Sequence, residues 1–261
     1  MTVLSKSNSS KINPQELEQR VKKMYREVAL HPDVSYHFEM GRTLAERLGY
    51  PPEILDRIPS AAIQSFAGVG YYFDLYPLRK GDVVVDLGSG SGMDVFYAAT
   101  QVGVSGEVIG LDMTTEQLEK ARFLKDKYGF LQTFFIENYI EQPSVLSNCI
   151  DAVISNGVIN LSSQKDNVFA EAARILKPGG RLMISDIVST TQLPDSISCN
   201  VSLWAACIGG AITESEYISL IENTGLKVIT VKENPYQFLS TGAQGATRDY
   251  GIKSISILAI K

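Results

Sequence analysis

Apolar residues recur at spacings of three and four between positions 14 and 30, at Leu17, Val21, Met24 and Val28. That period predicts an amphipathic helix opened by Asn13-Pro14. Three shorter helical pieces follow, GRTLAERLG, PPEILDRI and PSAAIQSF, each punctuated by glycine or proline. The aromatic-rich loop AGVGYYFDLYP closes this region. From Asp82 the pattern changes. Apolar, β-branched runs at 83–87, 108–111, 133–136, 152–155 and 182–186 alternate with helical stretches. Strands separated by helices predict an α/β fold with a doubly wound, mainly parallel sheet. Its crossovers should be right-handed. Two further runs, 227–231 and 254–260, bring the sheet to seven strands. The stretch between them, NPYQFLSTGAQGATRDYGIK, shows no helical pattern, so these two strands are expected to pair antiparallel.

The chain therefore divides into a Ser- and Lys-rich tail at 1–13, expected to be disordered, a helical N-terminal cap at 14–80, and an α/β domain at 81–261. An insertion at 187–225 carries Cys199, Trp204, Cys207 and Gly209-Gly210. It reads either as a lid or substrate wall, or as one more helix packed on the sheet. No internal repeat is present.

Composition narrows the function classes. With 44% hydrophobic and 20% charged residues, the chain can bury a sizeable core and stay soluble. A net charge of −5, without a dense basic run, argues against nucleic acid as a partner. No apolar run reaches the roughly 20 residues of a membrane span, and the start lacks the apolar core of a signal peptide. Cysteines 149, 199 and 207 form no CxxC pair. That spacing points to a reducing, cytoplasmic setting and gives no structural metal site. The oligomeric state is left open.

The stretch VVVDLGSGSGMDVF carries the chemistry. Its glycines, Gly88, Gly90 and Gly92, are spaced G-x-G-x-G, and Met93 occupies the third glycine position of the dinucleotide fingerprint. Asp86 at the end of the first strand would repel a pyrophosphate but favours an ammonium. Asp112 ends the second strand, where an acid accepts hydrogen bonds from ribose hydroxyls. No basic side chain is placed to neutralise phosphates. A ligand with an amino-acid end, a ribose and an adenine satisfies all three features, and S-adenosylmethionine is such a ligand. Gly88, Ser89 and Gly90 would let backbone approach it, and the helix start after Gly92 would favour its carboxylate.

VVVDLGSGSGMD, VIGLDMT, DAVISNGVINL and RILKPGGRLMISDI resemble, in order, the motifs of class I S-adenosylmethionine-dependent methyltransferases. The resemblance runs from about 81 to 187 and makes 81–261 a methyltransferase domain. It implies that Asp112 binds the ribose, that Met113 packs on the adenine, and that Tyr139 and the Ile140 backbone lie beside that ring. It also places the Asn156 backbone near the methionine end. Many relatives carry Asp where this chain has Tyr139. GSGSGMD, GLDMT, ISNGVINLSSQK and LWAACIGGAIT are similar to the arsenite methyltransferase branch, as are YHFEMGRTLAERLGY and SFAGVGYYF. That branch binds trivalent arsenic with thiolates. Cys207 matches one such position, Gly157 stands where another cysteine is usual, and no cysteine precedes Cys149. On a continuous helix Cys199 and Cys207 would lie about 80° and about 12 Å apart, which makes no chelate.

The expected activity is methyl transfer to a small molecule at O, N, C or S, with arsenite as an alternative acceptor. From other classes, a nicotinamide-dependent oxidoreductase or a non-catalytic cofactor-binding protein remain. His37 is the candidate base, with Tyr36 as its partner. Tyr71, Tyr72, Phe73, Trp204 and Cys207 are candidates to wall the acceptor.

Overall fold

The computed structural model describes residues 13–198, 204 and 208–261. The expected tail therefore falls outside the described residues up to position 12, as do Cys199 and Cys207. Asn13 caps helix α1 (Pro14–Leu30), its side chain accepting from the Gln15 N–H at 3.0 Å. Three short helices follow, α2 (Arg42–Leu48), α3 (Pro52–Leu55) and α4 (Ser60–Gln64). The sheet comprises β1 (Val83–Leu87), β2 (Glu107–Asp112), β3 (Thr133–Glu137), β4 (Ile150–Asn156), β5 (Leu176–Val188), β6 (Lys227–Glu233) and β7 (Lys253–Ile260), in the order β3-β2-β1-β4-β5-β7-β6. The first five strands are parallel, whereas β7 runs antiparallel to both β5 and β6.

The expected absence of a helix before β7 is corrected here. Helix α10 (Thr241–Tyr250) fills that connection. Ser240 caps it, accepting from the Ala243 N–H at 3.2 Å, and Gly251 ends it in the left-handed conformation. Only Ala243 and Ala246 are buried along it, so no bulky apolar period marks it in the sequence. Small side chains let it lie against Ile187, Ile208 and Ile252.

Two cores sandwich the sheet. On one face Val84, Ala152, Ile154 and Met183 meet α5 (Met93–Val102), α6 (Thr115–Tyr128) and the short N-terminal helices. On the other, Val85, Val153, Leu182 and Ile257 meet α7 (Lys165–Ile175) and α9 (Glu214–Glu222), with α8 (Asp195–Ser198) lying between β5 and α9 in sequence. Among the described residues no helix is long and apolar enough to cross a membrane.

The N-terminal helices are tied to the sheet domain by polar contacts. Gln117 Nε2 donates to the Tyr25 carbonyl at 2.8 Å, and Arg26 pairs with Glu116 at 2.8 Å, which holds α1 along α6. Ser65 Oγ donates to the Val28 carbonyl, joining α1 to the residues after α4. β1 lies between β2 and β4, so the connections from β1 and β4 leave in opposite directions. A crevice at the carboxyl ends of strands opens at such a point.

Candidate cofactor and acceptor cavity

Strand β1 delivers Asp86 and Leu87 to a loop that folds back over β2. The Gly88 and Ser89 N–H groups donate to the Leu111 carbonyl at 2.8 and 2.9 Å. Gly88 sits at φ +78, and a Cβ there would lie 2.5 Å from Val158 Cγ1. Only glycine satisfies both the left-handed backbone and this close approach. Gly90 N–H donates to Asp112 Oδ2 at 2.9 Å, and Thr114 N–H donates to Asp112 Oδ1 at 2.8 Å. The Asp112 carboxylate is thus fixed from both sides at the end of β2.

Three carboxyls converge here. Burial raises the Asp86 pKa well above the ordinary carboxylate value, with the nearby charges of Asp94 and Asp112 adding to it. Burial also raises Asp94, against hydrogen bonds from Tyr50, Tyr72 and Asn156 that lower it. Asp112 is raised by burial as well, opposed by the Thr114 and Gly90 N–H groups. Asp94 was not among the sequence candidates. Tyr50 Oη donates to its Oδ1 at 2.6 Å, while Tyr72 Oη and Asn156 Nδ2 donate to its Oδ2 at 2.8 and 3.1 Å. These partners come from 44, 22 and 62 positions away, so nothing beside Asp94 in sequence signals the cluster. Asn156 Oδ1 in turn accepts from Val69 N–H at 2.8 Å and Gly70 N–H at 3.3 Å. One side chain of β4 thereby joins the loop after α4 to Asp94 in the first turn of α5.

A cavity of about 760 Å³ opens over these groups. Of the sequence candidates, Asp86, Gly88, Ser89, Gly90, Asp112, Met113, Tyr139, Ile140 and Asn156 line it. Gly92 does not; at φ +90 it caps α5 beneath the wall, against the Phe135 ring. The N-terminal region adds wall residues that the sequence reading missed, among them Glu18, Val21 and Tyr25 of α1 and Phe66–Gly68. Their amphipathic period was visible, but not what the apolar stripe would cover. Tyr139 Oη donates to Glu18 Oε1 at 2.7 Å and accepts from Lys22 Nζ at 2.7 Å, so α1 closes down on the predicted adenine end.

The acceptor candidates are placed differently. His37 is exposed and meets the Phe38 ring edge-on at 4.8 Å, and Tyr36 Oη donates to the His31 carbonyl at 3.1 Å; neither lines the cavity. Phe38 is the buried member of that turn, which leaves His37 facing outward. Tyr71 and Tyr72 also stand behind the wall, Tyr71 bonded to Tyr97 at 2.8 Å and Tyr72 to Asp94. Phe73 joins that aromatic cluster, 4.3 Å from the Tyr97 ring. Trp204 covers Lys165, with Nζ 5.3 Å from the ring centroid. Cys207 lies outside the described residues. Cys149 precedes β4 at the amino end, whereas Asn156 ends that strand at the cavity, about 20 Å away along the strand. Among the described residues no group of three His, Cys, Asp or Glu side chains is placed to hold a metal.

The wall suits S-adenosylmethionine on its own geometry. Ser89 Oγ is buried without a hydrogen-bond partner, Gly88 presents bare backbone on the cavity wall, and Asp112 is held by two backbone donors. A family model for a methyltransferase domain matches residues 78–225. The chain belongs to this methyltransferase family. It is 34% identical over 209 residues to an arsenite methyltransferase of Halobacterium salinarum, covering 79% of this chain and 53% of that protein. Against the arsenite methyltransferase of Homo sapiens the identity is 40%, over 54% of this chain and 40% of the relative. The chain thus spans about half the length of the curated relatives it matches. An arsenic(III) S-adenosylmethionine methyltransferase structure from Chlamydomonas reinhardtii superposes with TM-score 0.63 at 30% identity, covering 85% of this chain and 74% of the other. Geranyl diphosphate C-methyltransferase from Streptomyces coelicolor A3(2) superposes with TM-score 0.69 at 17% identity, covering 96% and 99%. That second likeness shows a shared fold. The sheet is that of class I S-adenosylmethionine-dependent methyltransferases, the branch is arsenite methyltransferase-like, and the cofactor is S-adenosylmethionine.

Proposed function

We propose that this methyltransferase domain transfers a methyl group from S-adenosylmethionine to a small-molecule acceptor in the cytoplasm. The fixed Asp112 carboxylate beside the glycine loop, within one cavity that also holds Asn156, is the observation that carries this reading. S-adenosylmethionine supplies a methyl carbon made electrophilic by its sulfonium. Asp112 accepts from the ribose hydroxyls, and its two backbone donors keep it oriented for this. Asp86 faces the ammonium. Met113 and Ile140 border the adenine, and Tyr139, tied to Glu18 and Lys22 of α1, covers its edge. The clip from Asn156 to Val69 and Gly70 brings the loop after α4 over the methionine end and excludes water there. Methyl transfer needs in-line positioning more than proton transfer. No lysine or histidine is among the described wall residues, so acceptor protons leave to carboxylates or water. Incubation with methyl-tritiated cofactor and a mixed acceptor panel tests the reading; no label above blank in any acceptor would refute turnover.

Arsenite is the second reading, favoured by the names of the relatives. Sulfur placement weighs against it. Cys149 lies at the far end of β4, its Sγ donating to the Leu146 carbonyl at 2.9 Å. Gly157, at the usual position of a family cysteine, has φ +71, and a Cβ there would sit 3.2 Å from Val69 Cγ1. Two cysteines, Cys199 and Cys207, remain for a centre that favours three thiolates. Arsenite with glutathione is therefore expected to be methylated slowly or not at all. Rapid turnover lost in Cys207→Ser would make arsenite the acceptor.

A further inference from the structure

The described cavity wall contains six carboxyl groups, on Glu18, Asp86, Asp94, Asp112, Glu141 and Glu171, and no lysine, arginine or histidine. The cations beside the wall are already engaged: Arg174 pairs with the wall carboxylate of Glu171 at 2.7 Å. Lys22 pairs with Glu18 at 3.2 Å and donates to Tyr139. Lys120 Nζ donates to the Ala29 carbonyl at 3.1 Å and to Ser65 Oγ at 2.8 Å. Lys165 Nζ donates to the Ser162 carbonyl at 2.8 Å beneath Trp204.

The same deficit runs along the chain segments nearest the carboxyl ends of β4 and β5. AAIQSFAGVGYYF at 61–73 and NGVINLSSQ at 156–164 carry no Lys, Arg, His, Asp or Glu. The described residues 189–198 and 208–213, which follow β5, include Asp195 and no lysine, arginine or histidine. Among the described residues no cluster is placed to hold a metal ion that would supply the missing positive charge.

We infer that the methyl acceptor is a neutral or cationic molecule and that the wall rejects acceptors bearing a carboxylate or phosphate. This rests on the methyl-transfer reading and narrows it. An anionic acceptor entering beside the bound cofactor loses hydration with no lysine, arginine or histidine side chain on the described wall to replace it, and it approaches carboxylates of the same sign. A neutral phenol or thiol meets neither cost. An amine that enters protonated is attracted to the wall.

The test separates binding from turnover. The full chain, saturated with S-adenosylhomocysteine, is dialysed to equilibrium against matched pairs: catechol with 3,4-dihydroxybenzoate, benzyl mercaptan with 4-(mercaptomethyl)benzoate, and tyramine with 4-hydroxyphenylacetate. The member without a negative charge should be retained at least about tenfold more strongly than its carboxylate partner, the factor expected for one uncompensated charge in a partly buried site. The Ser163→Lys variant places an ammonium on the wall and should bring the carboxylates within about threefold. Equal or reversed retention in the wild type overturns the inference, as does failure to retain any uncharged or cationic member. Charge-selective retention without label transfer from methyl-tritiated cofactor would leave the selectivity standing and sink the methyl-transfer reading.

Discussion

Asp94 offers a sharp test of how the site is held together. Replacing it with Ala removes the acceptor for two phenol hydroxyls, on Tyr50 and Tyr72, whose side chains are 1% and 0% exposed. Each stranded buried donor costs about 1–3 kcal/mol, so Asp94→Ala should lose about 2–6 kcal/mol of stability. Asp94→Asn behaves differently. It keeps one acceptor oxygen, and a rotated phenol accepts from its new NH₂ group. Burial already disfavours the ionised carboxylate, so removing the charge recovers part of what the weaker hydrogen bonds lose. The expected cost of Asn is below about 1.5 kcal/mol. Urea unfolding at pH 7 with an unchanged slope reads both values. Equal losses for Ala and Asn, or an Ala variant within about 1 kcal/mol of wild type, would refute the hydrogen-bond account.

Gly88 and Gly90 differ in what surrounds them, so their Ala variants should differ too. Gly88→Ala meets Val158 at 2.5 Å as well as a positive φ, and should lose cofactor binding by more than about tenfold; Gly90→Ala has Gln117 Oε1 at 3.8 Å as its nearest neighbour and should cost only the backbone strain of about 1–2 kcal/mol, read by thermal unfolding and calorimetry. The raised carboxyls set a pH dependence: protonated Asp86 and Asp94 favour the empty fold below the ordinary value near 3.8, and that contribution is lost as pH rises through their higher folded values. A sulfonium favours the ionised forms, so affinity for S-adenosylmethionine should climb as pH rises above the ordinary carboxylate value, more than affinity for S-adenosylhomocysteine, and parallel flat profiles by calorimetry would contradict it. On the opposite side of the sheet, burial pushes Asp186 up to about 6 despite hydrogen bonds from Tyr217, Ile187 and Asn160, so carbon-13 carboxyl titration should find its midpoint near 6 and not below 4.

What the sequence revealed follows from the range of the forces involved. The parallel strands were legible because each carries a local run of buried apolar residues, such as Val83–Leu87 and Ile150–Asn156. The cofactor loop was legible because glycine spacing and the two acids, Asp86 and Asp112, are set within about thirty residues. Helix α10 was not, since Gly242 and Gly245 dilute its period and its buried face consists of two alanines. Asp94 escaped because its meaning depends on Tyr50 and Tyr72, which the fold brings from the N-terminal region. The acceptor candidates stand off the cavity wall for a related reason. Tyr71, Tyr72 and His37 are aromatic and near the right loop, but which way each side chain faces is decided by packing against Tyr97, Asp94 and Phe38.

The central claim is that the cavity over β1, β2 and β4 holds S-adenosylmethionine through Asp112. Titration calorimetry of wild type and Asp112→Ala measures this directly, with circular dichroism showing that the variant remains folded. The variant removes a charged acceptor from two ribose hydroxyls and should weaken binding by about 1.5–3 kcal/mol, roughly ten- to 150-fold. Unchanged affinity in the folded variant, or no binding by the wild type, would contradict the account.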